Sequence, residues 1–254
     1  MIAARKSVTD FIEDSRAQRA DTDALYFGRA AHVHTLEGVA AFHREYIVGG
    51  PTNPRTGKTY GTRSKAYQAW ARTQPKPAVT PEELALIERM TRSVHGKRAA
   101  QQLLSDGKAE LTGRTEILGV PCQIRLDWLT GDDRIVDYKT CADLSTITVD
   151  VEQYGYVIQQ AFYRQCLERI IGKRCPVYLV WCEKTEQPNS VVWKLDDDRL
   201  DHEASENERV IGELEEVFHQ LAKEKRPCQS GPSSKTSTKT QSIQGHPRAT
   251  PSIA

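Results

Sequence analysis

Nowhere in the 254 residues does an apolar run approach the roughly 20 side chains that a membrane-spanning helix requires, so no membrane partner is expected. The opening stretch from Met1 to Lys6 lacks the form of a secretory signal, and the expected location is the cytoplasm. Cysteine is sparse. Cys122, Cys141, Cys166, Cys175, Cys182 and Cys228 show no short repeat, which argues against a disulfide scaffold and for reduced thiols. They also lack the close pair expected of an iron–sulfur cluster, and no cysteine precedes Cys122, so no cluster is expected. Gly57-Lys58-Thr59 resembles the end of a phosphate-binding loop, but Thr52 stands where that motif needs glycine. There is no internal repeat.

One absence is local. Between Glu45 and Glu82 no acid occurs in 36 residues, while Arg55, Lys58, Arg63, Lys65, Arg72 and Lys76 supply six positive charges. The net charge of +1 therefore hides a segregation. A local positive field of this kind suits a backbone-phosphate partner, and Tyr60, Tyr67 and Trp70 interleave with the bases as possible stacking surfaces. Arg55, Lys58, Arg63 and Lys65 are the candidate DNA contacts; the plain alternative is a solvated surface loop.

The length suits one sizeable domain, expected over residues 1–226. Beyond Pro227 the Ser/Thr/Pro/Gly/Gln composition cannot bury enough apolar surface to offset its ordering entropy, so residues 227–254 are expected to be a disordered tail. Helices are expected over Val8–Ala20, Phe27–Phe42, Ser64–Arg72, Thr80–Leu104 and Val151–Ile171, and from Asp196 to about Lys225. Thr80-Pro81-Glu82-Glu83 carries the signature of a capping box with proline at the first helical position. Strands are expected over Lys108–Leu111, Thr115–Leu118, Cys122–Leu129, Ile135–Tyr138 and Pro176–Glu183, with Ser190–Leu195 as the hairpin partner of the last.

The chemistry concentrates between Gln123 and Tyr163. Asp127 and Asp137 come together only if their strands pair antiparallel across the turn at Asp132-Asp133. Asp137 and Lys139, two apart, then project from one face. Two carboxylates, with the Tyr138 carbonyl at the strand's edge, are oxygen ligands suited to Mg²⁺ or Mn²⁺ rather than zinc. Lys139 can position an attacking water or neutralise developing charge. The alternative is an exposed acid pair with an ordinary salt partner. Against it stand the apolar surroundings of Asp127 and the apolar Ile135-Val136 before Asp137, where an uncompensated charge is costly.

Gly28-Arg-Ala-Ala-His32, Ala109-Glu110, Gln123-Ile-Arg-Leu-Asp127, Ile135-Val-Asp-Tyr-Lys-Thr140 and Gln159-Gln-Ala-Phe-Tyr163 occur in that order. Together they resemble the exonuclease VIII (RecE-type) group of the PD-(D/E)XK nuclease superfamily, related to RecB nuclease domains and lambda exonuclease. The resemblance runs from about Asp21 to Lys225, and five ordered elements are far more specific than any one. It implies that His32 lies at or beside the metal, with His34 the alternative, and that Glu110 is an outer acid of the site. It further implies that Asp127 and Asp137 are principal ligands, Lys139 the catalytic lysine, and Gln159 and Tyr163 contacts to the phosphate or water. Leu126 stands where the family usually has proline.

The expected fold is α/β and restriction-endonuclease-like, with a small mixed central sheet flanked by helices. The expected function is hydrolysis of linear double-stranded DNA with two Mg²⁺ or Mn²⁺ ions. The resemblance implies 5′-to-3′ polarity leaving 3′ single strands, a trimeric or tetrameric ring, a single-strand annealing protein as partner, and a bacterial host or prophage origin. Alternatives are an endonuclease or repair-type nuclease of the same superfamily, or a catalytically silent DNA-binding module.

Overall fold

The computed structural model describes residues 1–7 and 22–224. The helix expected over Val8–Ala20 and the tail beyond 226 lie outside the described residues.

Helix α1 (Ile2–Lys6) is followed by α2 (Asp23–His32), capped where the Thr22 hydroxyl accepts the Leu25 N–H. Here the expected helix over Phe27–Phe42 divides. α2 runs into a π-helical turn, Val33–Glu37, and Gly38, at φ 89°, ends it before α3 (Val39–Glu45). A side chain at that φ would be strained, so glycine makes the break possible.

The basic segment leaves from β1 (Ile47–Val48), passes through α4 (Lys65–Ala71) and returns as β2 (Ala78–Val79), parallel to β1. α5 (Pro81–Gly96) starts with the complete capping box at Thr80 and Glu83. The helix expected to reach Leu104 breaks at Lys97, whose extended backbone (φ −86°, ψ 116°) separates α5 from α6 (Arg98–Leu104).

Five strands then form one mixed sheet: β3 (Gly107–Ile117), β4 (Val120–Thr130), β5 (Ile135–Cys141), β6 (Val177–Glu183) and β7 (Ser190–Lys194), in that spatial order. The two short strands expected before Gly119 are one long strand. β3–β4, β4–β5 and β6–β7 pair antiparallel, and β5–β6 pair parallel. A parallel pair needs a crossover. It is supplied by the short 3₁₀ turn Leu144–Thr146, α7 (Ile147–Gln153) and α8 (Tyr156–Ile171), with Gly155 at φ 65° separating the two helices. α9 (Asp197–Glu224) packs against α8.

The sheet is buried on both faces. On one, Ile124, Leu126, Ile135, Leu179 and Trp181 meet Ala161 and Leu167 of α8 and Ile211 of α9. On the other, Val136, Tyr138, Val180 and Cys182 meet Ile87, Met90 and Val94 of α5 and Ala30 and Ala31 of α2. Neighbouring residues of β5 and β6 therefore face opposite cores, as the pleat requires.

β3 and β4 break this alternation at one shared step. Leu126 points into the α8 core, yet Trp128, two residues on, packs into the α5 core and donates its indole N–H to Leu103 O at 3.0 Å. On β3, Ile117 belongs to the α8 core, and at Gly113 a side chain would meet Ile124 of that core and the exposed Ile170 of α8; Ala109 packs into the other. The register runs Ala109–Trp128 and Leu111–Leu126, so the change of phase falls on Glu110 and Asp127 in both strands. Glu110 absorbs it with φ 55°, a left-handed conformation that non-glycine residues seldom adopt.

Gly155 offers a direct test. A Cβ there would meet the Ile2 side chain at 3.1 Å, and φ is positive. Gly155→Ala should lower the unfolding free energy by about 1–2 kcal/mol in denaturant titration; an unchanged midpoint would show that the break between α7 and α8 does not need glycine.

Candidate active site

The last turn of α2, the irregular step of β3 and β4, the middle of β5 and the start of α8 converge on one cleft of about 1000 Å³. Its walls include His32, Glu37, Glu110, Asp127, Lys139 and Gln159. The strand pairing that brings the acids together is the antiparallel β4–β5 ladder, with Trp128 opposite Val136. Just past that pair the Tyr138 N–H donates to Asp127 Oδ2 at 3.1 Å, instead of to a β4 carbonyl, which brings the Tyr138 main chain to the carboxylate.

His32 bridges the acids on two strands. Its Nδ1 lies 3.5 Å from Glu110 Oε1, and its Nε2 lies 3.4 Å from Asp127 Oδ2. Arg125 Nε contacts the other Glu110 oxygen at 3.0 Å from an exposed position. Behind this wall sits Asp137, only 3% exposed. Its Oδ2 lies 2.5 Å from Lys139 Nζ, and its Oδ1 accepts from Gln160 Nε2 at 2.7 Å. The Lys139 ammonium in turn lies 4.6 Å from the centre of the Tyr156 ring. Gln159 lines the cleft and donates to the Tyr163 hydroxyl at 3.1 Å.

Charge and burial compete here. Burial pushes Asp137 up to about 6, an effect that the Lys139 charge only partly offsets and that the nearby Asp127 charge reinforces. Burial acts the same way on Asp127, but His32, Lys139 and the Tyr138 N–H outweigh it and hold that carboxyl below the ordinary range. Burial alone would discharge Lys139 and His32. The neighbouring carboxylates prevail in both and raise their pKa values.

The donor set fits a divalent cation. His32, Glu37 and Glu110 each hold a ligand atom within 4.8 Å of the others, and Asp127 Oδ2 lies 3.4 Å from His32 Nε2. One imidazole among several carboxylate oxygens suits Mg²⁺ or Mn²⁺ better than a thiolate-preferring metal. His34, the alternative to His32, turns away: it is buried against Phe42, and its Nδ1 contacts Thr91 Oγ1 at 2.8 Å. His95 contacts Thr35 O through Nε2 at 2.9 Å.

Sequence reasoning missed four residues here: Glu37, Arg125, Tyr156 and Gln160. In an α-helix Glu37 would lie about 140° around from His32. The π-helical turn, closed by the Gly38 N–H to Val33 O bond at 3.1 Å, realigns it. Gln160 sits beside the expected Gln159, and only the direction of α8 distinguishes them.

The basic segment stands apart from the cleft. Arg55, Lys58, Arg63 and Lys65 are exposed and do not line it, and Arg63 pairs with Asp23 at 2.6 Å. Tyr67 is no stacking surface. Its ring is buried against Gly50 and its hydroxyl donates to Ala78 O at 2.8 Å.

A mixed five-stranded sheet between helices, with this acid–lysine arrangement at its centre, is the architecture of a PDDEXK-like domain. The chain belongs to the family described as a PDDEXK-like domain of unknown function (DUF3799), which matches residues 8–235. No curated protein matches it. Among solved structures, a candidate exonuclease from Eubacterium rectale is 14% identical, with 87% of this chain and 80% of that one covered and a TM-score of 0.60. That likeness shows a shared fold. LHK-Exo in complex with dAMP is 15% identical over 77% of this chain and 91% of its own, with a TM-score of 0.34.

Cation binding should be visible in stability. At neutral pH, Mn²⁺ at about 100 times its Kd should stabilise the fold by about 2.7 kcal/mol, and Asp127→Ala should abolish the gain. Asp137 holds its proton more tightly folded than unfolded, so this group makes the cation-free fold less stable as pH rises through about 6. A cation must displace that proton, so the Mn²⁺ gain should shrink as pH falls through about 6. A melting temperature indifferent to Mn²⁺ at neutral pH would remove the cation reading.

Proposed function

We propose that this protein is a metal-dependent exodeoxyribonuclease of the RecE type, degrading linear double-stranded DNA. The observation that carries the reading is the convergence of Asp127, Asp137 and Lys139 beside His32 and Glu110 in a PDDEXK-like fold. Two bound Mg²⁺ ions would supply Lewis-acid polarisation of the scissile phosphate and a more acidic water. Asp127, held ionised, and Asp137 are the principal ligands, with the Tyr138 carbonyl and His32 beside them and Glu110 as an outer acid. Lys139, held protonated by its carboxylate neighbours, donates to the developing negative charge. Gln159 and Tyr163, joined by their own hydrogen bond, orient the phosphate or the attacking water.

The finer reading rests on the resemblance of the ordered motifs. It holds that residues 1–226 form the nuclease domain, that strand removal runs 5′ to 3′, and that 3′ single strands pass to an annealing protein in recombination. It also holds that the chain works as a trimeric or tetrameric ring in the cytoplasm of a bacterial host, encoded by a phage or prophage.

Linear duplex labelled separately at each end, with and without Mg²⁺, tests activity and polarity together. Release should require Mg²⁺ and begin at the 5′ end, and a covalently closed circle should resist. Lys139→Met should slow release by about 100- to 1000-fold, and Asp127→Asn should abolish it. Cutting of the closed circle would replace the exonuclease with an endonuclease, and DNA binding without any cleavage would leave a silent binding module.

The exposed arm carrying Arg55, Lys58, Arg63 and Lys65 would hold the duplex by its phosphates. Replacing all four with alanine should weaken DNA binding and reduce the slope of log K against log salt by about 3.6. An unchanged slope would make the arm an ordinary solvated loop.

A further inference from the structure

Gln160 is fully buried, yet only half of its amide is satisfied. Nε2 donates to Asp137 Oδ1 at 2.7 Å, while Oε1 has no hydrogen-bond partner. A buried amide left half-unpaired costs stability that a methionine or leucine in the same space would not. Packing therefore gives no reason for glutamine here; the bond to Asp137 does. One turn earlier on the same helix, Tyr156 places its ring against the Lys139 ammonium at 4.6 Å.

The spacing of these contacts matches. Asp137 and Lys139, two apart on β5, project from one face of the sheet, and Tyr156 and Gln160, four apart on α8, project from one face of the helix. Each strand residue meets one helix residue. Gly155 sets the register, because its left-handed backbone ends α7 and starts α8 at Tyr156. The stripe is distinct from that of Gln159 and Tyr163, which bond to each other.

We propose that Gln160 and Tyr156 are positioning residues: Gln160 holds the Asp137 carboxylate in the orientation in which Oδ2, resting on the Lys139 ammonium, can be shared with a cation, and Tyr156 holds that ammonium toward the cleft. The proposal rests on the nuclease reading only for the turnover measurements below. Outer groups that orient a metal-binding carboxylate change affinity by about 10- to 100-fold when removed. The two contacts also act on different observables, since one bears on cation capture and the other on the charge that Lys139 delivers.

The test compares Gln160→Met, Gln160→Asn, Tyr156→Leu and Tyr156→Phe in the full chain, by Mn²⁺ titration without DNA, thermal melting, and turnover of linear duplex at saturating Mn²⁺. Gln160→Met should melt within a few degrees of the native chain but bind Mn²⁺ about 10- to 100-fold more weakly. Gln160→Asn, which keeps the amide but withdraws it by one methylene, should show the same loss. Tyr156→Leu should keep native Mn²⁺ affinity and lose about tenfold in turnover, with Tyr156→Phe restoring it because the ring face is retained. Native Mn²⁺ affinity in either folded Gln160 variant overturns the role given to Gln160, and loss of a cooperative melt in both does the same by making the amide a requirement of the fold. A Tyr156→Phe defect equal to that of Tyr156→Leu overturns the role given to the ring. Weakened Mn²⁺ binding in the Gln160 variants, alongside a native chain that hydrolyses no DNA, would sink the nuclease reading and leave the Gln160 role standing.

Discussion

A single buried carboxylate organises this molecule. Asp137 lies in the middle of β5, between Val136 and Tyr138, which point into one core, and beneath α8, which closes the other. An isolated charge in such a place would cost several kcal/mol. The surroundings answer it one oxygen at a time, with the Lys139 ammonium on Oδ2 and the Gln160 amide on Oδ1. Much of the architecture follows from meeting that requirement. β5 must be a central strand so that its neighbours exclude water, and the crossover from β5 to β6 must bring α8 back over it. The helix must also begin at Tyr156, so that its first turns match the two-residue spacing of the strand.

The two acids divide the work because their surroundings differ. Asp127 stands on the cleft wall, half-buried, with three partners that favour its charged form. Asp137 stands behind the wall, where burial favours the proton and only Lys139 opposes it strongly. One carboxylate is therefore held charged at the cleft, and the other is held behind it on the lysine. His32 ties Asp127 to Glu110 across β3 and β4 at the step where both strands change phase. Regular pleating would turn Asp127 and Leu126 to opposite faces and leave Trp128 on Leu126's side. The left-handed backbone at Glu110 lets Trp128 join the α5 core while both acids stay at the cleft.

That irregularity also marks where the sequence stops being legible. The apolar run Ile135-Val136 before Asp137, the turn at Asp132-Asp133 and the capping box at Thr80 are local patterns, and each predicts its element from side-chain chemistry alone. The antiparallel β4–β5 pairing and the shared face of Asp137 and Lys139 follow from them. The sites missed all depend on backbone that departs from regular geometry or on a rotation that periodicity does not specify. Glu37 reaches His32 only through a π-helical turn, and Tyr156 heads α8 only because Gly155 divides a helix that composition reads as continuous. Gln159 and Gln160 are chemically identical neighbours; a rotation of about 100° decides which meets Asp137. Tyr67 failed for the opposite reason. An aromatic among bases reads as a stacking surface, but the nearby Gly50 leaves room for its ring to be buried.

The placement of the basic arm relative to the site follows from α2. Arg63 pairs with Asp23 at the start of that helix, and His32 ends it. Tyr26, one turn in, donates to the same Ala78 carbonyl that Tyr67 of α4 reaches from within the arm, so the arm is fastened to α2 by the Tyr26 hydroxyl as well as an ion pair. Nine helical steps separate Asp23 from His32, a span of roughly 14 Å at 1.5 Å per residue. The exposed Arg63–Asp23 pair, weak on its own, is supported by the Tyr26 hydroxyl contact.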